Sequence, residues 1–216
     1  MANPNSCVLP IRAVIFDYGD VISLPADPAV IAWMTAQFHL TEEGFRQVYA
    51  AFRHEYDRGN LDAAGYWGNI GRAAGVELSG DEIAQLRQAD VAMWSRLNEA
   101  ILRWASQLRA EGLKTGVLSN MHADMVDYLR ANGEWTRIFD CVTLSSVVHL
   151  AKPEPDIFNV CLRDLGVRPE EALFIDDRER NVAAAQALGI WGVAAPSPAQ
   201  LRANLQAFGF CPLPSL

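Results

Sequence analysis

The chain has 216 residues, half of them hydrophobic and one fifth charged, with 26 acidic residues against 18 basic. That composition excludes intrinsic disorder, and an acidic balance without long runs of like charge excludes a nucleic-acid backbone as partner. Nowhere do about 18 apolar residues follow one another, and no basic segment leads into an apolar run over residues 1–10, so the expectation is a cytoplasmic protein with no membrane span.

In chain order, the first strand-length apolar run is residues 13–16, which delivers Asp17 to its carboxyl end. Residues 25–95 then hold helical patterns and no strand, as an insertion would. Asp27 before Pro28 caps a first helix, and Thr41 with Glu42 and Glu43 starts a second. Phe45, Val48, Tyr49, Phe52 and Tyr56 form one stripe of a single helix ending near Gly59, and further helices are predicted over 62–74 and 81–93. A helix over 98–111, with Ile101, Trp104, Ala105 and Leu108 inward and Gly112 as its stop, returns the chain to alternating strands and helices.

The remaining strands are predicted at 115–118, 141–144, 172–175 and 191–194. Between them lie helix faces carrying Met125, Val126 and Leu129, then Ile157, Phe158, Cys161, Leu162 and Leu165, then Val182, Ala185 and Leu188. Fully apolar strands alternating with helices make an α/β fold, a doubly wound parallel sheet of Rossmann-like form. Its core comprises residues 1–24 and 96–216, with 25–95 inserted. Cys7, Cys141, Cys161 and Cys211 have no CxxC spacing and are read as reduced, packing thiols.

Chemistry concentrates at strand ends. Asp17 follows the first strand, and Asp176 and Asp177 follow Leu173-Phe174-Ile175. A sheet that reverses direction between these strands brings three carboxylates together, which like-charge repulsion permits only around a cation. Oxygen ligands without nearby His or Cys point to magnesium. Ser119 and Asn120 follow a third strand. Lys152, one of only two lysines in the chain, stands before Pro153 ahead of a helix.

In this order and spacing the four segments resemble the haloacid dehalogenase-like hydrolase superfamily. The resemblance implies that Asp17 is a nucleophile forming an aspartyl phosphate. Ser119 and the backbone of Asn120 would hold the phosphoryl group, and Lys152 would offset charge on nucleophile and phosphate. Magnesium would be held by Asp17, Asp176, Asp177 and the Gly19 carbonyl, and residues 25–95 would form a helical cap. Tyr56 to Asp62, with Tyr66-Trp67, resembles the cap of the small sugar-phosphate phosphatases. The expected activity is therefore magnesium-dependent hydrolysis of a small phosphorylated metabolite.

The chain departs from the family pattern at Gly19, where most members carry the aspartate that acts as general acid and base; here an aspartate, Asp20, comes one residue later. Losing that group costs on the order of 10²–10⁴-fold unless Asp20 substitutes or the leaving group departs unprotonated. Competing expectations are a 2-haloacid dehalogenase, a phosphomutase and a non-catalytic binding protein. In the insertion, ten acidic residues outnumber five basic ones. Arg53, His54 and Arg58 are the candidates there for reaching a phosphate or sugar hydroxyl, with a solvated helix face as the favoured reading; Trp33, Trp67 and Trp94 are read as packing in preference to stacking on sugar, and His122 and His149 as bystanders, His122 the nearer to the site.

Overall fold

The computed structural model describes residues 10–215, so Cys7 and the expectation about the first residues lie outside it. Five strands, β1 (Ala13–Phe16), β2 (Lys114–Ser119), β3 (Cys141–Leu144), β4 (Ala172–Asp176) and β5 (Trp191–Ala194), form one parallel sheet in the order β3-β2-β1-β4-β5. The chain leaves β1 for β2 on one side and later returns to pair β4 on the other, so the sheet reverses beside β1. Register sets the consequence. Phe16 pairs with Ile175, and the Asp17 N–H donates to the Ile175 carbonyl at 2.8 Å, which places Asp17 next to Asp176 at the carboxyl edge.

Strand residues alternate between two apolar layers, as a sheet covered on both faces requires. Val14, Phe16, Val117, Leu173 and Ile175 face a cluster containing Trp104, Leu108, Met125 and Leu205. These come from α6 (Glu99–Ala110), α7 (Ala123–Asn132) and α11 (Pro198–Ala207). Ala13, Ile15, Leu118 and Phe174 face Phe158, Cys161, Leu162 and Ala185 from α9 (Pro155–Leu165) and α10 (Glu179–Ala187). A single turn, α8 (Ser145–Val148), follows β3.

Between β1 and α6 lie α1 (Pro28–Gln37), α2 (Glu42–Ala51), α3 (Arg53–Arg58), α4 (Ala63–Ala74) and α5 (Gly80–Trp94). They enclose a separate core of Met34, Phe38, Phe45, Tyr66, Trp67, Ile70 and Leu86. The chain enters and leaves this bundle through two paired segments, Leu24 N–H donating to Arg96 O and Asn98 N–H to Ile22 O, each at 2.8 Å. Local signals start the helices as the sequence suggests: Asp27, Thr41, Asp62 and Asn98 each accept from a first-turn N–H, and Ser79 with Glu82 forms a capping box.

Three elements differ from expectation. The stripe from Phe45 to Tyr56 is two helices, broken at Phe52 (φ −110°, ψ −1°), because beyond it Arg53 turns into buried ion pairs. The last helix, α11, is marked only by its Ser197 cap, Pro198 and two buried leucines, Leu201 and Leu205, too sparse a stripe to predict from. Residues Tyr18–Ile22 form a tight turn in which Gly19 and Asp20 depart from helical angles, the left-handed one being Asp20 rather than the glycine. Among the described residues no helix is long and apolar enough to cross a membrane. Cys141 and Cys161 are free thiols, the second buried.

Candidate active site

The sheet edge assembles the catalytic candidates. Asp17 caps the turn after β1, its Oδ1 accepting from the Tyr18 N–H. Lys152, 1 % exposed, sends Nζ to Asp17 Oδ1 and Asp176 Oδ2, both at 2.7 Å. Its backbone is clamped by the Asn120 side chain, which donates through Nδ2 to the Lys152 carbonyl and accepts at Oδ1 from the Lys152 N–H, each at 2.8 Å. The Asn120 amide is thus committed to positioning the lysine, leaving its backbone for any phosphate. Ser119 Oγ has only a long 3.5 Å contact to the Asn120 carbonyl, so its hydroxyl is available.

Asp17, Asp176 and Asp177 each offer an oxygen within 4.8 Å of the others. Asp176 is fully buried and already satisfied: Oδ1 accepts from the Arg178 N–H at 2.8 Å, and Asn181 Nδ2 reaches both oxygens at 3.0 Å. Burial pushes its carboxyl up, but Lys152 and these donors bring it below the usual range. The Asp17 carboxyl is pushed up to about 7 by burial, against the pull of Lys152 and with a further push from Asp176. Asp177 is pushed up to about 6 by burial and then by Asp176. Two carboxyls that resist ionising beside an ionised third fit a divalent cation, which the all-oxygen donor set suits.

Asp17, Gly19, Ser119, Asn120, Lys152 and Asp177 line one cavity of about 80 Å³, well under the ~300–1,000 Å³ of an open ligand pocket. The helices between β1 and α6 supply its opposite wall. Arg53 and Asp57 from α3, Tyr49 from α2 and Trp94 from α5 line the same cavity. Arg87 of α5 bonds both oxygens of Asp124 on α7, at 2.8 and 2.6 Å, and Tyr56 OH donates to Asp124 Oδ2 at 3.0 Å. Arg58 pairs with Glu154, and Ser145 Oγ donates to the Asp57 carbonyl while accepting the Met121 N–H.

Several residues read as peripheral stand at or near this cavity. Arg53 is no solvated surface group: it is ion-paired inside α3, because Asp57 one turn on and Asp90 of α5 both face it. His122 is 1 % exposed, stacks on Tyr56 with centroids 4.8 Å apart and lines the cavity. Burial draws its imidazole below the usual range. Trp67 packs among the helices between β1 and α6 as expected, Trp94 packs against two apolar clusters and also lines the cavity, and Trp33 is 38 % exposed. His54 and His149 stay outside the cavity lining. Gly19 has ordinary backbone angles, φ −63° and ψ 132°, and the left-handed residue is Asp20 at φ 57°. A Cβ at Gly19 would meet only the Trp94 ring, at 3.8 Å, so no backbone constraint demands glycine there. Asp20 lines the cavity beside Arg178.

The family model for haloacid dehalogenase-like hydrolases matches residues 11–189. Among curated relatives, a (S)-2-haloacid dehalogenase of Xanthobacter autotrophicus is 32% identical over 83% of this chain and 72% of its own length. A D-ribitol-5-phosphate phosphatase of Bacteroides thetaiotaomicron is 25% identical over 83% and 89%. A Bacteroides thetaiotaomicron HAD family enzyme, solved in complex with magnesium and inorganic phosphate, superposes with a TM-score of 0.65 at 26% identity, covering 83% of this chain and 91% of that one. The chain spans only about a tenth of another relative, a mouse acyl-CoA dehydrogenase family member 10, which it matches at 35% identity over 113 residues.

Proposed function

Because the chain belongs to the haloacid dehalogenase-like hydrolases, we propose that it is a magnesium-dependent phosphatase hydrolysing a small phosphorylated metabolite, such as a sugar or polyol phosphate, through an aspartyl phosphate on Asp17. The observation that carries this reading is Asp17 paired with Lys152 beside two further carboxylates in one cavity at the carboxyl edge of the sheet. Its expected setting is the cytoplasm, where thiols such as Cys141 and Cys161 stay reduced.

Asp17, Asp177, Asp176 and the Gly19 carbonyl are the proposed magnesium ligands, Asp177 the more accessible of the acid pair and Asp176 spending one oxygen on Lys152. Bound there, the ion would neutralise carboxylates and phosphoryl oxygens alike. Lys152 keeps Asp17 ionised and faces the transferring group. Ser119 Oγ and the Asn120 backbone receive phosphoryl oxygens, and the Asn120 side chain keeps Lys152 in place. Asp17 then attacks phosphorus as the ester P–O bond breaks, the leaving oxygen taking a proton from Asp20 or departing as the free oxyanion where it is acidic enough, and water cleaves the acyl phosphate to inorganic phosphate and a proton, regenerating the carboxylate. Residues 25–95 act as a cap on a core of 1–24 and 96–216, opening at the paired segments around Leu24 and Arg96 to admit substrate.

Two acids beside Asp17 and a cap wall carrying two more oppose a free carboxylate substrate, which places the haloacid reading second. The test is release of para-nitrophenol from para-nitrophenyl phosphate in magnesium and in EDTA. Wild-type turnover should need magnesium, and Asp17→Asn, with an unchanged circular dichroism spectrum, should lose it by about 10³-fold or more. Retention of more than a few per cent of activity by Asp17→Asn would remove the nucleophile from the mechanism.

A further inference from the structure

The cap wall of the cavity has an unbalanced charge. Arg53 is its one lining cation, and two carboxylates hold it. Nε lies 2.8 Å from Asp57 Oδ1, and Nη1 lies 2.9 and 3.1 Å from the two oxygens of Asp90, which also accepts from Tyr49 OH at 2.6 Å. Three tyrosine rings, Tyr49, Tyr56 and Tyr66, surround the guanidinium within 6 Å. Spent in this way, Arg53 has no charge left for a substrate anion, and the wall carries one negative charge in excess. His122 Nε2 lies 3.4 Å from Asp90 Oδ2, behind the cavity face of Asp57; burial draws the imidazole toward its neutral form against the pull of Asp90, so it does not cancel the charge at Asp57.

The same wall leaves buried polar atoms without hydrogen-bond partners. Asp57 is 7 % exposed and its Oδ1, although close to Arg53 Nε, is not aligned to accept from it. Neither ring nitrogen of His122 has a hydrogen bond, and neither does the Trp94 indole N–H. Asp57, His122 and Trp94 all line the cavity. Buried polar groups left unpaired are costly, so a ligand that pairs them gains what one lacking those groups forfeits.

Resting on the phosphatase reading above, we propose that Asp57 is a specificity-determining residue, and that the cap wall selects phosphomonoesters whose leaving group is uncharged and bears hydroxyl groups while rejecting those with a second anion. A hydroxyl donates to Asp57 and accepts from Trp94 or from His122 in its N–H tautomer. A carboxylate or second phosphate in the same place meets an uncompensated charge on a carboxylate that is itself only 7 % exposed, and burial strengthens that repulsion.

The matched pair glycerol 3-phosphate and 3-phosphoglycerate differs by a CH₂OH in place of a carboxylate. Each is measured by kcat/KM in magnesium or, where turnover is too slow, by its inhibition constant against para-nitrophenyl phosphate. Wild type should prefer glycerol 3-phosphate by about 30-fold or more, and Asp57→Asn should cut that ratio by about tenfold. Asp57→Ser, equally uncharged and smaller, is the second variant should the asparagine fail to fold. Wild type that hydrolyses para-nitrophenyl phosphate yet shows no preference, or folded Asp57 variants that keep the wild-type ratio, would overturn the assignment and leave the phosphatase reading standing. Absence of magnesium-dependent para-nitrophenyl phosphate hydrolysis by wild type removes both.

Discussion

The two walls of the cavity are built by opposite means. The core wall takes Asp17, Ser119 and Asp177 from the carboxyl ends of β1, β2 and β4, with Asp176 buried behind them, so each candidate group stands at the end of an apolar strand. The cap wall takes Tyr49, Arg53, Asp57 and Trp94 from three helices, with Asp90 behind them. Parallel-sheet geometry makes position in the strand equivalent to position in the site, whereas on helices the same residue types serve surface, core or pocket depending on which helix lies opposite. The core wall thus carries the groups proposed for the chemistry, and the wall from the helical segment carries those proposed to contact the rest of the substrate.

If that division holds, damage to the core wall should abolish turnover and damage to the cap wall should redistribute it among substrates. The largest effect after loss of the nucleophile is expected at Lys152. Lys152→Ala leaves Asp17 and Asp176 facing each other without their shared cation and should lower kcat about 10²–10³-fold, measured on protein shown to be folded. Lys114→Ala, which removes a bond to the Leu165 carbonyl away from the site, should stay within about twofold. Equal effects of the two substitutions would reduce Lys152 to an ordinary loop cation.

A smaller effect is expected at Gly19, whose angles and open surroundings accept a side chain. Gly19→Asp supplies the acid that the family pattern places there and should raise single-turnover rates on alkyl phosphates by about 10–100-fold, with little change on aryl phosphates whose leaving groups need no proton. Asp20→Asn is the counterpart. Slowing of alkyl and aryl substrates alike by Asp20→Asn would identify Asp20 as the acid already in use.

The smallest expected effect is on stability, and its sign follows from the raised carboxyls. Asp17 and Asp177 bind protons more tightly in the folded protein than in the unfolded chain, so without metal the stability they contribute falls as pH rises from about 4 through 7. Magnesium takes the place of those protons. Its addition should raise Tm by a few degrees at pH 8 and by clearly less at pH 5.5, as read by thermal unfolding with and without EDTA. Equal shifts at the two pH values would mean that the carboxylate cluster does not hold the ion.

All five strands, the run of helices between the first strand and the helix at Glu99–Ala110, and the acids at the sheet edge are legible in the amino-acid order, because each is written in a contiguous run. An apolar segment of four to six residues makes the strand, and the candidate site residue stands at its carboxyl end. The partners of Arg53 are not legible that way. Asp57 sits one turn away, but Asp90 is 37 positions distant and reaches it only because α5 packs beside α3. The same holds for His122, an ordinary residue ahead of a helix until Tyr56 stacks on it, and for Asn120, whose amide turns to Lys152 across 32 positions. Sequence by itself determined where charge enters the sheet edge. Tertiary structure alone decided which charges on the cap are neutralised and which remain for a ligand, because the effect of a buried charge depends on the groups within a few ångströms of it, whatever their separation along the chain.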